Sequence, residues 1–207
     1  MSKIKPVYSF VGSSGSGKTT FLENLIPVLV RRGYTVGAIK HDAHKFEIDK
    51  PGKDSYRLKH AGAKIVSISS DQKMAMVQSY EKEYTMEEMV LKFYGTVDII
   101  LTEGYKKSNI PKFEIFRKAN NKPMVAEGRD ELLGVISNDG IGVDVRQFSL
   151  NDYEGVADYL INISDFTSVN IDIQGLDDKY INPLSEYLTA LSKLVNLQNI
   201  KVKIEGN

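Results

Sequence analysis

Gly12-Ser13-Ser14-Gly15-Ser16-Gly17-Lys18-Thr19 fills every fixed position of the phosphate-binding pattern G-x-x-x-x-G-K-[ST]. Glycine permits turns that a Cβ would obstruct, so successive N–H groups in such a loop can point inward at phosphate oxygens. Lys18 supplies a mobile positive charge for the β- and γ-phosphates and Thr19 a hydroxyl for Mg2+. A helix starting here adds its unpaired N–H groups and positive dipole end to the same anion. The pattern can arise by chance, so a strand must precede it and a helix follow it. Val7-Tyr8-Ser9-Phe10-Val11 is a short β-rich run, and Phe21, Leu22, Leu25, Ile26 and Leu29 recur at helical spacing as far as Arg31, Arg32 and Gly33. A Gly/Ser linker between strand and helix would not require Lys-Thr at its end. Gly12 to Thr19, with Thr20 directly after, is therefore the expected nucleotide-binding set.

Outward from the loop, the chain alternates strand and helix. Pro27 lies inside the first helix, where a bend is expected. Tyr34 to Lys40 reads as the second strand, which makes a βαβ unit with parallel strands. His41 to Lys53 is polar, contains Pro-Gly and lacks a period, so it is a loop leaving the carboxyl end of a strand, the edge where open parallel sheets bind ligands. Asp54 is the expected N-cap of a short helix ending at Gly62, and Lys64–Ser69 with Met74–Ser79 reads as a hairpin. Thr85-Met86-Glu87-Glu88 forms a capping box before a helix that ends near Gly95. Val97 to Thr102 is the most apolar run and suits a central parallel strand. Phe113–Arg117 and Leu132–Ser137 are further strands, and Asn151 is the expected cap of a helix to Leu160.

The pattern predicts an α/β protein: a P-loop NTPase-type three-layer fold with a mostly parallel sheet and an antiparallel hairpin. The nucleotide-binding domain is expected over residues 1–162. Alternation at Val169, Ile171 and Ile173, helical spacing from Leu184 to Leu194 and alternation at Ile200, Val202 and Ile204 predict a strand-helix-strand extension over 163–207. Such a unit is too small to bury its own apolar faces, so it is expected to pack on the main domain or pair across a dimer.

Composition narrows the partners. Lys+Arg and Asp+Glu both number 27 in 207 residues, so no net positive field gathers nucleic acid or an anionic membrane. The absence of cysteine removes disulfides, thiolate zinc sites and cysteine nucleophiles together. No signal-like region opens the sequence and no run approaches a membrane span, so a cytoplasmic protein is expected.

A P-loop protein needs an acidic residue near the loop to hold Mg2+ or its water. Asp98 stands at the start of the central strand, roughly 16 Å from its far end. Glu103 stands at the carboxyl edge and is the expected magnesium-side or water-orienting residue, with Asp98 only a charge at the strand's start. Asp42 is the other carboxylate that geometry allows near the γ-phosphate, to bind a Mg2+ water, to activate an attacking water, or only to make an Asx turn. His41, His44 and Asp49 share one loop without a defined metal spacing, so hydrogen bonding to phosphate, substrate or partner is the better reading. Lys53, Ser55 and Arg57 surround a helix N-terminus, where they bind a second phosphorylated group or simply form a solvated surface. Arg117 joins the site as a cation at a strand end, whereas Lys106, Lys107 and Lys112 form a charge run of the kind usually solvated. No Asn-Lys-x-Asp guanine-reading sequence exists. In Ser137-Asn138-Asp139, Asp139 could accept hydrogen bonds from guanine N1–H and N2–H2, so residues alone favour guanine over adenine only slightly.

Gly12 to Thr19, Ile39-Lys40-His41 with His44, Asp49-Lys50-Pro51-Gly52-Lys53-Asp54-Ser55 with Arg57, Ala61-Gly62-Ala63, and Thr102-Glu103-Gly104-Tyr105 together resemble the MobB family, the molybdopterin-guanine dinucleotide biosynthesis adaptor proteins. The Asp49 to Ser55 run is the specific part, and the resemblance covers Lys5 to Asn162. It implies a GTP-binding, homodimeric P-loop protein with weak Mg2+-dependent GTPase activity. Such a protein assists the guanylyltransferase that attaches GMP to molybdopterin, with molybdopterin or the partner enzyme approached through His41 to Arg57. Ser13 departs from the extra lysine of ParA/MinD-type loops, so no lysine is donated across a dimer at that position. Two other classes compete. A small-molecule kinase would use Asp42 or Glu103 as base, but an Arg-rich lid is lacking; a metallochaperone GTPase would use His41 and His44, but no cysteine is present.

Overall fold

The computed structural model describes residues 5–41, 47–166, 168–176 and 199–206. The chain divides into two compact units, Met1–His41 with Tyr94–Asn207, and Asp42–Phe93.

The larger unit is built on six strands: β1 (Val7–Val11), β2 (Val36–Lys40), β5 (Ile99–Glu103), β6 (Lys112–Ile115), β7 (Leu132–Ile136) and β8 (Arg146–Phe148). Their order is β2-β5-β1-β6-β7-β8, and every neighbouring pair is parallel. β1 therefore lies between β5 and β6, and all five of its residues are buried. Helix α1 (Lys18–Arg31) and helix α4 (Tyr153–Phe166) cover one face. Alternation along β1 sends Tyr8 and Phe10 to that face, where Phe10 stacks on Phe113 at 5.4 Å and on Phe21 at 6.0 Å. Leu25 and Leu29 of α1 and Val156 and Leu160 of α4 complete this core. Pro27 sits within α1, whose apolar stripe continues through Val28 and Leu29. On the opposite face a smaller cluster of Val11, Ala126, Leu132 and Val135 is covered by irregular segments carrying Met124, Val125, Ile141 and Val143. Strands β9 (Ser168–Leu176) and β10 (Asn199–Gly206) form a separate parallel pair. The helix expected around Leu184 to Leu194 lies outside the described residues.

The smaller unit contains α2 (Asp54–His60), the antiparallel hairpin β3 (Ile65–Ser69) and β4 (Met74–Gln78), and α3 (Met86–Phe93). The Thr85 capping box forms reciprocally: Thr85 N donates to Glu88 Oε2 at 2.8 Å and Glu88 N to Thr85 Oγ1 at 3.2 Å.

Several boundaries differ from expectation. β2 starts at Val36, because Tyr34 N still closes the end of α1 on Leu29 O at 3.1 Å. β5 runs one residue further, to Glu103, and Asp98 precedes it. β6 ends at Ile115, so Arg117 lies beyond the strand and opens a short 3₁₀ turn, Lys118–Asn120. The N-cap of α2 is the extended Lys53, whose carbonyl takes Arg57 N at 2.9 Å, while Asp54 is already helical. Helix α4 is capped by Asp152, whose Oδ1 accepts Gly155 N at 2.9 Å. Glu154 is not available to a cap at Asn151, because it pairs with Arg31 of α1 and with Arg32, the C-cap of that helix. The three-residue strand β8 was too short to give a period.

Candidate functional site

The loop between β1 and α1 has the geometry its glycines require. Gly12 has φ 148°, and a Cβ there would fall on the Ile115 carbonyl oxygen and 2.7 Å from Ser16 Oγ. Gly15 and Gly17 also take positive φ, and Gly17 is the left-handed N-cap of α1. No acidic residue stands in the first turn of this 14-residue helix, so nothing there competes with an anion for its N–H groups. Ser16 Oγ is buried inside the curl without a hydrogen-bond partner among the described residues. Lys18 folds back over the loop, its Nζ donating to Ser13 O at 3.0 Å and Gly12 O at 3.3 Å. A close-fitting cradle, an orphaned hydroxyl and an ammonium parked on loop carbonyls fit a phosphate chain.

The charges agree. Burial holds the Lys18 ammonium below its ordinary pKa; Glu103 opposes that shift, and Lys106 and Lys40 reinforce it. Two further cations thus act on the site's lysine, and phosphate oxygens would relieve their repulsion.

Glu103 is where the sheet-edge argument placed it. β5 lies beside both β1 and β2, so the end of β5 meets the start of α1. Thr19 Oγ1 donates to Glu103 Oε2 at 2.7 Å, and Lys40 Nζ stands 3.7 Å from Oε1. A hydroxyl and a carboxylate form a hard, oxygen-only donor pair, which suits Mg2+. Asp98, at the other end of the strand, instead accepts from Thr35 N at 2.8 Å and Thr35 Oγ1 at 2.5 Å. His41 is pinned beside Glu103, donating its backbone N–H to Glu103 O at 2.9 Å, with its ring tilted against Tyr105 at 4.4 Å between centroids. That approach depends on Gly104 (φ 109°), where a Cβ would stand 3.0 Å from the His41 carbonyl oxygen.

Arg117 crosses to the phosphate loop, its Nε donating to Ser16 O at 2.9 Å. Asn120 Nδ2 donates to Ser13 Oγ at 3.2 Å. Asp139, just past β7, accepts Lys118 N at 2.8 Å and donates its own N–H to Ser137 Oγ at 3.0 Å, so its carboxylate is held to the same segment. Ser14, Thr19 and Thr20 are exposed at the loop and the first turn.

The larger unit thus brings together Gly12 to Thr20, His41, Glu103 and Arg117, with Asp139 tied to the segment after Arg117. Asp42 and His44 lie outside the described residues. Asp49, Lys53, Ser55 and Arg57 belong to the smaller unit. There Asp49 Oδ1 accepts Lys50 N at 2.9 Å, and Arg57 stands 3.6 Å from Asp54, whose carboxylate occupies the first turn of α2. Among the described residues, no three His, Asp or Glu side chains converge to hold a metal. No described helix is long and apolar enough to cross a membrane.

Sequence reasoning gives Lys40 no role beyond its place in the Ile39-Lys40-His41 stretch and does not single out Asn120. Lys40 was findable in principle: as the last residue of an edge strand at the carboxyl side, it pairs in register with Glu103. Asn120 carries no such signal, because its position depends on an irregular turn.

Comparison with known proteins agrees with this geometry. Residues 7–138 match the family model described as molybdopterin guanine dinucleotide synthesis protein B. The molybdopterin-guanine dinucleotide biosynthesis adapter protein of Escherichia coli (strain K12) is 38% identical over 163 residues, which cover 75% of this chain and 91% of the relative. Its counterpart from Haemophilus influenzae is 36% identical over 158 residues, covering 76% and 88%. Among solved structures, a molybdopterin-guanine biosynthesis protein B superposes with TM-score 0.61 at 23% identity over 76% of this chain and 99% of that one. Bacillus subtilis MobB superposes with TM-score 0.60 at 22% identity over 76% and 96%; both likenesses bear on the fold. The chain belongs to the MobB family.

Proposed function

We propose that this chain is an adapter in molybdopterin guanine dinucleotide biosynthesis, binding Mg2+–GTP at Gly12–Thr20 and assisting the guanylyltransferase that attaches GMP to molybdopterin. The adapter role is supported by the names of the relatives it matches over most of their length. The nucleotide role is carried by one observation: Lys18, Thr19 and Glu103 converge on a glycine cradle that excludes even a methyl group at Gly12.

Thr19 and Glu103 are the pair that would hold Mg2+, which when bound offsets the charge of the β- and γ-phosphates. Lys18 would exchange its two loop carbonyls for phosphate oxygens. Glu103 already serves Thr19 and Lys40, which leaves it poorly free to act as a general base and favours slow hydrolysis. Asp139, oriented by Lys118 N–H, is the residue we assign to the guanine edge. His41, and separately the segment from Asp49 to Arg57, are each assigned to contact with molybdopterin or the partner enzyme, and a cytoplasmic location fits such a role. Family membership favours this reading over a small-molecule kinase or a metallochaperone.

A homodimer fits the smaller unit. Among the described residues its hairpin pairs β3 with β4 alone, and Ile65, Ile68, Met74 and Met76 are exposed. A lone two-stranded hairpin is marginal in water and its open edges are templates for another strand. A second copy of this chain is the occupant we assign; light scattering of the wild type should give twice the chain mass, and a monomer at all concentrations would refute it.

The functional test is reconstitution. Purified chain is added to the guanylyltransferase, molybdopterin and Mg2+–GTP, and the dinucleotide product is measured. Wild type should raise the yield and Lys18→Ala should not, with only slow GDP release by the chain alone. Equal yields with and without the wild-type chain, or rapid phosphate transfer to a small acceptor, would sink the adapter reading.

A further inference from the structure

The sheet face opposite α1 and α4 is not uniformly apolar. Alternation along β1 and β6 sends Ser9, Val11, Lys112 and Glu114 to that face, with Ser9 beside Lys112 and Val11 beside Glu114 in register. Lys112 is 0% and Glu114 1% exposed. Charged groups withdrawn from water are costly unless their polar atoms are fully used. Glu114 engages both of its oxygens on loop backbone, and Lys112 makes one bond there. Lys112 Nζ donates to Ser108 O at 2.5 Å. Glu114 accepts Val125 N on Oε1 at 2.7 Å and Ala126 N on Oε2 at 2.8 Å.

The segment gripped by Glu114 leads back to the phosphate loop. Between the end of β6 and Ala126 it carries Arg117, on Ser16 O, and Asn120, on Ser13 Oγ, and its Lys118 N–H orients Asp139. A residue chosen for packing alone would match the neighbouring Val11 and Val135. The carboxylate is explained by what it holds.

We propose that Glu114 is a positioning residue of the nucleotide site: its buried carboxylate fixes the segment 117–126, which in turn lays Arg117 and Asn120 on the loop from Ser13 to Ser16. The proposal rests on the nucleotide reading above. Burial raises the Glu114 carboxyl above the ordinary carboxylate range; the Val125 and Ala126 N–H groups and Lys106 oppose this, and Glu127 adds to it. As pH falls, the carboxyl therefore takes its proton earlier than an exposed glutamate would. The protonated form keeps only one strong acceptor for two N–H groups.

The test uses Glu114→Gln and Asn120→Ala, singly and together, in the full chain. Glu114→Gln keeps the shape but turns an amide N–H2 against a backbone N–H. Three readouts are taken: urea stability, the Kd of a fluorescent GTP analogue with Mg2+, and amide hydrogen exchange without nucleotide. At neutral pH, Glu114→Gln should bind about tenfold more weakly, the scale of one unsatisfied buried donor. Its ratio to wild type should close toward acid pH. Exchange should quicken at 117–126 and also at Ser13–Ser16. Asn120→Ala should lose affinity with little loss of stability, and the double variant should be no weaker than the worse single one.

Glu114→Gln that is less stable yet binds as tightly as wild type would overturn the proposal, as would affinity losses that simply add. Should Glu114→Gln fail to fold, Asn120→Ala decides, and unchanged affinity there counts against the proposal. A wild type that binds no nucleotide refutes the nucleotide reading instead; exchange at Ser13–Ser16 in the Glu114 variant still decides the coupling.

Discussion

Replacing Gly12 with alanine adds one carbon atom, and the structure says where it must go. The new Cβ meets the Ile115 carbonyl oxygen, a backbone atom fixed in β6, and stands 2.7 Å from Ser16 Oγ, while φ at this position is 148°. A residue with a Cβ held in a sparsely populated region costs about 1–3 kcal/mol. Forcing a carbon into a packed position costs about 1–3 kcal/mol more when backbone must shift. Together these give roughly 2–6 kcal/mol, against the 5–15 kcal/mol typical of a domain, so the variant should be clearly weakened. The strain falls on the cradle itself, because the easiest relief is to move Gly12 and Ser16 away from Ile115. Urea unfolding followed by circular dichroism would report the stability loss, and fluorescent GTP binding the loss of the cradle. A stability change within about 0.5 kcal/mol, the range of ordinary surface substitutions, together with unaltered affinity, would refute the steric reasoning.

Other outcomes follow from the same geometry. Glu103→Gln should cut the Mg2+ dependence of GTP binding by roughly tenfold or more while leaving metal-free binding nearly intact, measured by titrating Mg2+ at fixed nucleotide. Asp98→Ala should cost about 1 kcal/mol of stability through the lost Thr35 bonds and leave nucleotide affinity unchanged, because it lies at the wrong end of β5. Thr85→Ala should loosen α3 by about 1 kcal/mol, seen as faster amide exchange over Met86–Phe93.

The parts of this molecule legible in its sequence are those fixed by short-range rules. The phosphate loop is written in eight consecutive residues, and the strand and helix around it have clean periods. The Thr85 box forms as the spacing requires. That Glu103 stands at the carboxyl edge of β5 and Asp98 at the opposite end needed only strand length and direction. What could not be read depends on contacts between distant residues. The cap of α4 moved to Asp152 because Glu154 is engaged by arginines more than a hundred positions earlier. Lys112 looked like part of a solvated charge run and is in fact buried, because its strand places it beneath Ser108. Asn120 reaches Ser13 through a turn with no regular pattern.

Calorimetric titration of Mg2+–GTP into the wild type and Lys18→Ala addresses the phosphate site most directly. A single Mg2+-dependent site per chain is expected in the wild type. Loss of a charge-assisted contact at Lys18 should weaken it about 10–100-fold without altering the folded state. Equal affinity in the two proteins would show that Gly12 to Thr19 does not hold the nucleotide.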